Sequence, residues 1–302
     1  MAEESSFSRR DLHFPKLRYI EAIPHPLGSR EGVCIRDPKQ FAENVLVLPP
    51  AVFYIVTLFD GEHSWKDIQT DFSREFGQLI PLEKIEEIVE QLDRELFLES
   101  STFERHKRNV IESFCATPFR EAIHAGSAYE GDSLLLHKQL DGFVESIQDK
   151  KPVDNLPENK DLSLLISPHI DLHRGGSCFA YAYRELARHD PADLYIILGT
   201  GHQSEQSLIS MTRKSYVTPL GVVETDVSFV DQFSRSVSTD VFAEEILHRD
   251  EHSVEFQVLW LRKVLGDSWK GKVVPILCGS FHPYVMKGIS PREDRQVSLL
   301  LD

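Results

Sequence analysis

Three histidines stand where a protein could hold a metal ion. His169 closes the run Leu164-Leu165-Ile166-Ser167-Pro168-His169, and His202 closes Leu194-Tyr195-Ile196-Ile197-Leu198-Gly199-Thr200-Gly201-His202. His252 falls in the first turn of the amphipathic stretch His248 to Val264, HRDEHSVEFQVLWLRKV. Neutral imidazole is a ligand for zinc, copper and iron, and ligands from separate chain segments are typical of a site held by a rigid scaffold. Taken singly, each histidine reads more readily as a cap or core residue than as a ligand; the three together point to a site. Glu251 and His252, with Glu255 one turn on, are candidates for a general acid or base; the alternative is that Glu251 faces the helix dipole and His252 closes the first turn. Asp171 is a candidate to accept the second N–H of a ligating imidazole. Arg174, beside Gly175 and Gly176, is a candidate anion contact, although close packing explains the glycine pair as well. His124 either reaches the same edge or fixes an entry loop.

Two short apolar runs separated by a proline-free helical segment, Cys178 to His189, predict strand, turn, helix, strand and turn over 162–202, with both histidines at carboxyl ends of parallel strands. In open α/β sheets that edge is where ligands bind. Ser207 to Met211 and Tyr216 to Glu224 read as strands, a helix follows from Val227 to Ser234, and His248 to Val264 reads as one helix. Lys272 to Leu277 is a buried strand, and beyond Phe281 no further strand is expected. Asp132 opens another helix, and Pro152 to Lys160 reads as a loop.

The first third reads differently. Asn44 to Leu48 is strand-like. Ser64 with Asp67 forms a capping-box start for a helix reaching Phe76, and Gly77 ends it. Pro81 starts a helix with Ile85, Ile88, Val89, Leu92 and Leu96 on one face. The polar Ser101 to Thr117, with its basic run Arg105 to Arg108, reads as a linker. Two domains are therefore expected, 1–112 and 113–302.

At 302 residues, with 41% hydrophobic and 27% charged residues, the chain has the composition of a globular protein. Its formal net charge of -15 gives no electrostatic basis for gripping a nucleic-acid backbone or an anionic membrane. No apolar run approaches the roughly 20 residues of a membrane span, and the start lacks an apolar signal core, so a cytoplasmic protein is expected. The four cysteines form no C-x-x-C pair and read as reduced thiols.

Taken in order, REAIHAGSAY, SPHIDLHRGG, ILGTGH, YVTPLG, DEHSVEFQ and VVPILCGSF closely resemble the Memo family, called AmmeMemoRadiSam system protein B in prokaryotes. The resemblance runs from about Arg120 to Phe281. It implies an α/β fold with a LigB-like sheet and flanking helices, similar to class III extradiol dioxygenases. It also implies iron or copper at the site, with His169 and His202 on ligand positions and His252 on the active-site histidine. The family's usual P-H-A-G-Y is here Pro168-His169-Ile170-Asp171-Leu172. The family also continues past the V-P-I-L-x-G strand to a further metal-side residue, so the resemblance assigns two ligands in this chain and expects an open sheet edge. The run LFDGEHSWKDIQTDFSREFG with PLEKIEEIVEQLDRELFLES resembles the winged-helix, PqqD-like domains that present peptides to radical-SAM enzymes; a small helical cap is the alternative.

Three functions follow as expectations. The first is a metal-dependent redox or oxygenase-like protein. The second is a non-catalytic module binding a peptide or phosphate group. The third is a partner of radical-SAM and AMMECR1-like proteins acting through the first domain.

Overall fold

The computed structural model describes residues 12–27, 30–148, 162–204, 207–295 and 297–298. The loop expected over Pro152 to Lys160 and the first eleven residues lie outside them. The chain divides into two compact units, Met1–Phe114 and Cys115–Asp302.

In the first unit, strands β1 (Glu21–Leu27), β2 (Arg30–Arg36) and β3 (Leu46–Leu48) form an antiparallel sheet in the order β1-β2-β3. β1 carries Pro24 and Pro26, which lack the N–H groups that an added strand would need at this edge. The apolar stretch after Pro49 is helix α1 (Pro50–Thr57). In α2 (Trp65–Phe76) both halves of the Ser64/Asp67 capping box are made, and Gly77 closes the helix in the left-handed conformation at φ 67°. α3 (Leu82–Arg94) buries Ile85, Ile88, Val89 and Leu92 against Ile35, Ile55, Val56 and Ile68. The stretch expected as a linker is instead helix α4 (Ser101–Ala116), which buries Phe103 and Phe114. Polar residues fill its outer faces, and two buried aromatics were too sparse a signal to show its helical period.

The second unit is built around β9 (Lys272–Cys278). Five consecutive residues of this strand are buried, as expected for a strand covered on both faces. β5 (Leu194–Thr200) pairs parallel to it on one side, and β6 (Ile209–Met211) pairs antiparallel on the other, giving the order β5-β9-β6. Pro275 sits mid-strand without an N–H. The Val273 N–H points to Glu224 at 2.9 Å, so by alternation the Pro275 nitrogen faces the same side, in the gap between Thr225↔Val273 and Met211↔Ile276.

A second small sheet, β4-β7-β8, comprises β4 (Phe119–Arg120), β7 (Ser215–Thr218) and β8 (Gly221–Val223). Helices α5 (Ser133–Glu145), α6 (Leu172–Leu186) and α8 (His252–Leu265) share one core with Ile197, Val273 and Leu277. There Trp260 stacks between Phe179 and Tyr183 at centroid distances of 6.2 and 5.7 Å. α7 (Val227–Ser236) covers the opposite face through Val230, against Val274 and Ile276. Short α9 (His282–Lys287) follows β9.

Three expectations are corrected. Leu164 to Ile166 forms no strand and pairs in no sheet among the described residues, with Leu164 and Ile166 76% and 86% exposed. The helix expected from Cys178 begins at Leu172, because Asp171 accepts the Arg174 N–H and caps it there. The helix expected from His248 begins only at His252, after a 3-10 turn over Glu245–Arg249, because Glu251 caps it by accepting the Ser253 N–H.

α8 lies close on β5 because Gly199 has no side chain. A Cβ there would stand 2.6 Å from both Ser253 Oγ and Val254 Cγ2, and Val254 is fully buried. Gly199→Ala should therefore cost about 1–3 kcal/mol and lower the melting temperature by several degrees, readable by thermal denaturation.

Candidate metal centre

β5 delivers His202 through the turn after Thr200, where the Gly201 N–H donates to the Cys278 carbonyl at 2.8 Å. The cap of α6 places His169 just before that helix, and the cap of α8 makes His252 its first residue. The three rings thus come from one strand end and two helix starts, rather than from parallel strand ends alone. One ring nitrogen from each of His169, His202 and His252 lies within 4.8 Å of the other two, and no other such group of three possible ligands occurs among the described residues. The closest pair is His169 Nε2 and His202 Nε2, at 2.9 Å. The ring centroids lie 4.7 to 5.0 Å apart.

Glu251 sets the chemistry of this group. Its side chain is 6% exposed and sits 2.9 Å from His202 Nδ1 and 3.3 Å from His252 Nδ1. It also accepts the His202 N–H at 3.2 Å and the Ser253 N–H at 2.9 Å. Burial alone would raise its carboxyl, but the Ser253 N–H and the His202 ring outweigh that, and the group titrates below its ordinary value. An ionised carboxylate only accepts, so His202 carries its proton on Nδ1 and turns the Nε2 lone pair outward. His169 and His252 titrate below the usual histidine range, first through burial and then through neighbouring histidines, so both favour the neutral, ligating form.

The donor set suits a transition metal. With metal–nitrogen bonds of about 2.1 Å, ligand nitrogens in cis or tetrahedral positions lie roughly 3.0–3.4 Å apart, which the closest pair here already approaches.

The remaining expected residues fall nearby with other contacts. Asp171 spends one oxygen on its helix cap at 3.0 Å, and Arg174 lies exposed with Nε 3.7 Å from the other. The places beside Gly175 and Gly176 are filled by Ile170 and the Phe143 ring, 2.1 and 2.4 Å from where a Cβ would stand, so close packing accounts for the pair. The His124 ring lies 6.0 Å from that of His252, edge-on, and its Nε2 donates to the Asp250 carbonyl at 3.0 Å. Glu255, a candidate acid or base by spacing, is fully buried against Arg120 and Tyr129 and faces away from solvent.

Residues 120–291 match the sequence profile of the Memo-like proteins. The chain belongs to the Memo family. A MEMO1 family protein of Aquifex aeolicus is 25% identical over 292 residues, 95% of this chain and 73% of that protein, so the similarity reaches into both units. One of Methanobrevibacter smithii is 32% identical over 168 residues, 53% of this chain and 57% of that protein. One of Sulfolobus acidocaldarius is 30% identical over 174 residues, 55% of this chain and 59% of that protein. The chain thus spans a little over half of most of these relatives' length and about three quarters of the Aquifex protein's. All three clustered histidines, Glu251 and their contacts lie inside the Memo segment. No helix among the described residues is long and apolar enough to cross a membrane.

Two residues that support the site were not singled out by sequence. Arg120 grips the turn before α8, and His248, fully buried in that turn, donates Nε2–H to the Ser210 carbonyl at 3.1 Å and accepts the Tyr216 hydroxyl on Nδ1 at 3.1 Å. Burial, with the nearby Arg120 cation, pushes the His248 pKa down to about 4 against the pull of the Ser210 carbonyl. The unfolded chain therefore takes up this proton near pH 6.5, while the folded one resists until about 4. The contribution is fully present above pH 6.5 and is lost as the pH falls through the folded value, at most about 3 kcal/mol. Urea midpoints between about pH 7.5 and 4.5 should fall for the parent and fall less steeply for His248→Gln.

Proposed function

We propose that this Memo-family chain is a metal-dependent redox or oxygenase-like protein that holds one iron or copper ion on His169, His202 and His252. The observation that carries the reading is the convergence of three imidazole nitrogens within 4.8 Å, one of them backed by a buried carboxylate. Three neutral imidazoles suit either metal and leave coordination positions for water or substrate. Iron or copper bound there would supply one-electron redox chemistry at those open positions.

The chain's own groups do the rest. Glu251 fixes the His202 tautomer and keeps a negative charge beside two of the ligands, which would stabilise a metal cation bound to the rings. Partial exposure of His169 and His202 leaves the centre accessible to a substrate in solution. In this reading His252, which the resemblance puts on the active-site histidine, is the third ligand.

The test is elemental analysis of the chain purified anaerobically. One equivalent of iron or copper per chain, released by a chelator, is the expected result; a metal-free chain that takes up neither ion on titration would overturn it.

A further inference from the structure

The turn between the 3-10 segment and α8 delivers Glu251 and His252, and a buried cation holds it. Arg120 is 1% exposed. Its Nε donates to the His248 carbonyl at 2.9 Å, one terminal nitrogen donates to the Glu251 carbonyl at 3.0 Å, and the other donates to the Glu121 carbonyl at 2.6 Å and pairs with Glu255. Glu255, fully buried, uses its second oxygen for the Tyr129 hydroxyl and for the His124 N–H at 3.2 Å. His124 then donates to the Asp250 carbonyl at 3.0 Å. Three of the four carbonyls from His248 to Glu251 are therefore held by side chains of the 120–129 segment.

Stability alone is a poor explanation for this arrangement. A buried ion pair is commonly no more stabilising than apolar residues of the same volume. A guanidinium offers what those residues lack, a rigid planar fork that can grip three carbonyls and a carboxylate at fixed angles. Two of the three carbonyls it grips, those of His248 and Glu251, belong to the turn that carries Glu251 and His252.

We infer that Arg120 is a positioning residue for the histidine centre: its fork, oriented by Glu255 and Tyr129, fixes the Glu251 main chain and so the placement of the Glu251 carboxylate against His202 and of the His252 ring. The inference rests on the metal-site reading. Arg120→Lys keeps the charge and loses the fork. Tyr129→Phe keeps a ring that is 2% exposed and removes only the hydroxyl that orients Glu255.

The experiment uses Co2+ alone as the probe on the full chain, with folding checked by circular dichroism. Affinity is read by competition with a chelating dye and geometry by the visible absorption of the bound cobalt. Val230→Ala, in the core on the opposite face of the sheet, is the control for loss of stability alone. Arg120→Lys is expected to weaken Co2+ binding about tenfold or more and Tyr129→Phe by a smaller factor, both with shifted cobalt bands, while Val230→Ala keeps the parent's affinity and spectrum. If Arg120→Lys does not fold, Tyr129→Phe decides. Folded variants with the parent's affinity and spectrum overturn the positioning role and leave the metal reading standing. A parent that binds no Co2+ overturns both.

Discussion

Replacing His202 with alanine should abolish the stoichiometric metal binding proposed for this centre while the chain stays folded. His202 is the ring gripped by the buried Glu251 carboxylate, and its side chain is 41% exposed, so removing it takes out a preorganised ligand without opening the core. His169→Ala and His252→Ala should each act the same way, since each supplies one of three nitrogens and two imidazoles hold a divalent ion far more weakly than three. Glu251→Gln should give an intermediate result: its amide keeps the shape but loses the charge, and such outer-shell changes typically cost about 10- to 100-fold in metal affinity. Isothermal titration with Fe2+ under anaerobic conditions, or with Cu2+, reads all four. Parent-like affinity in the alanine variants would remove the cluster from consideration as a metal site.

The second large effect falls on stability. Glu255→Ala leaves the Arg120 guanidinium buried and uncompensated, with the Tyr129 hydroxyl and the His124 N–H losing their acceptor. Breaking a fully buried pair from one side costs about 3–5 kcal/mol, a large share of a domain's stability. Arg120→Met together with Glu255→Leu should recover much of that loss, because neither charge is then stranded. The pair of measurements separates two roles: urea denaturation of the double variant should approach the parent, while its metal affinity should not.

Much of this site was legible in sequence. The S-P-H, G-T-G-H and D-E-H-S segments marked the three histidines, and Ser64, Asp132 and the run Lys272 to Cys278 announced their elements, because a cap or a doubly buried strand is written in consecutive residues. What escaped is what depends on partners far along the chain. Leu164 to Ile166 has the composition of a strand, yet nothing among the described residues pairs with it. Where α8 starts depends on a single acceptor, Glu251, which a helical pattern beginning at His248 hid. Arg120 and Glu255 meet across 135 residues, and neither carries a local signal of its partner. Convergence of His252 with His169 and His202 is likewise a property of how two helix starts and one strand end fold together.

The apolar surface bears on the same unit. Among the described residues β5 is an edge strand, and Ile196 and Leu198 on the α7 side of it are 52% and 68% exposed. That edge carries His202 at its end, so the site lies at the border of the sheet rather than in its middle.

X-ray absorption at the iron or copper edge of the loaded chain tests the central claim most directly. The account predicts three imidazole nitrogens at about 2.0–2.1 Å, seen in the outer-shell scattering of the rings, and no sulfur scatterer. Fewer than three imidazoles, or a sulfur ligand from Cys278, the half-buried thiol at the end of β9 whose pKa burial pushes up, would contradict it.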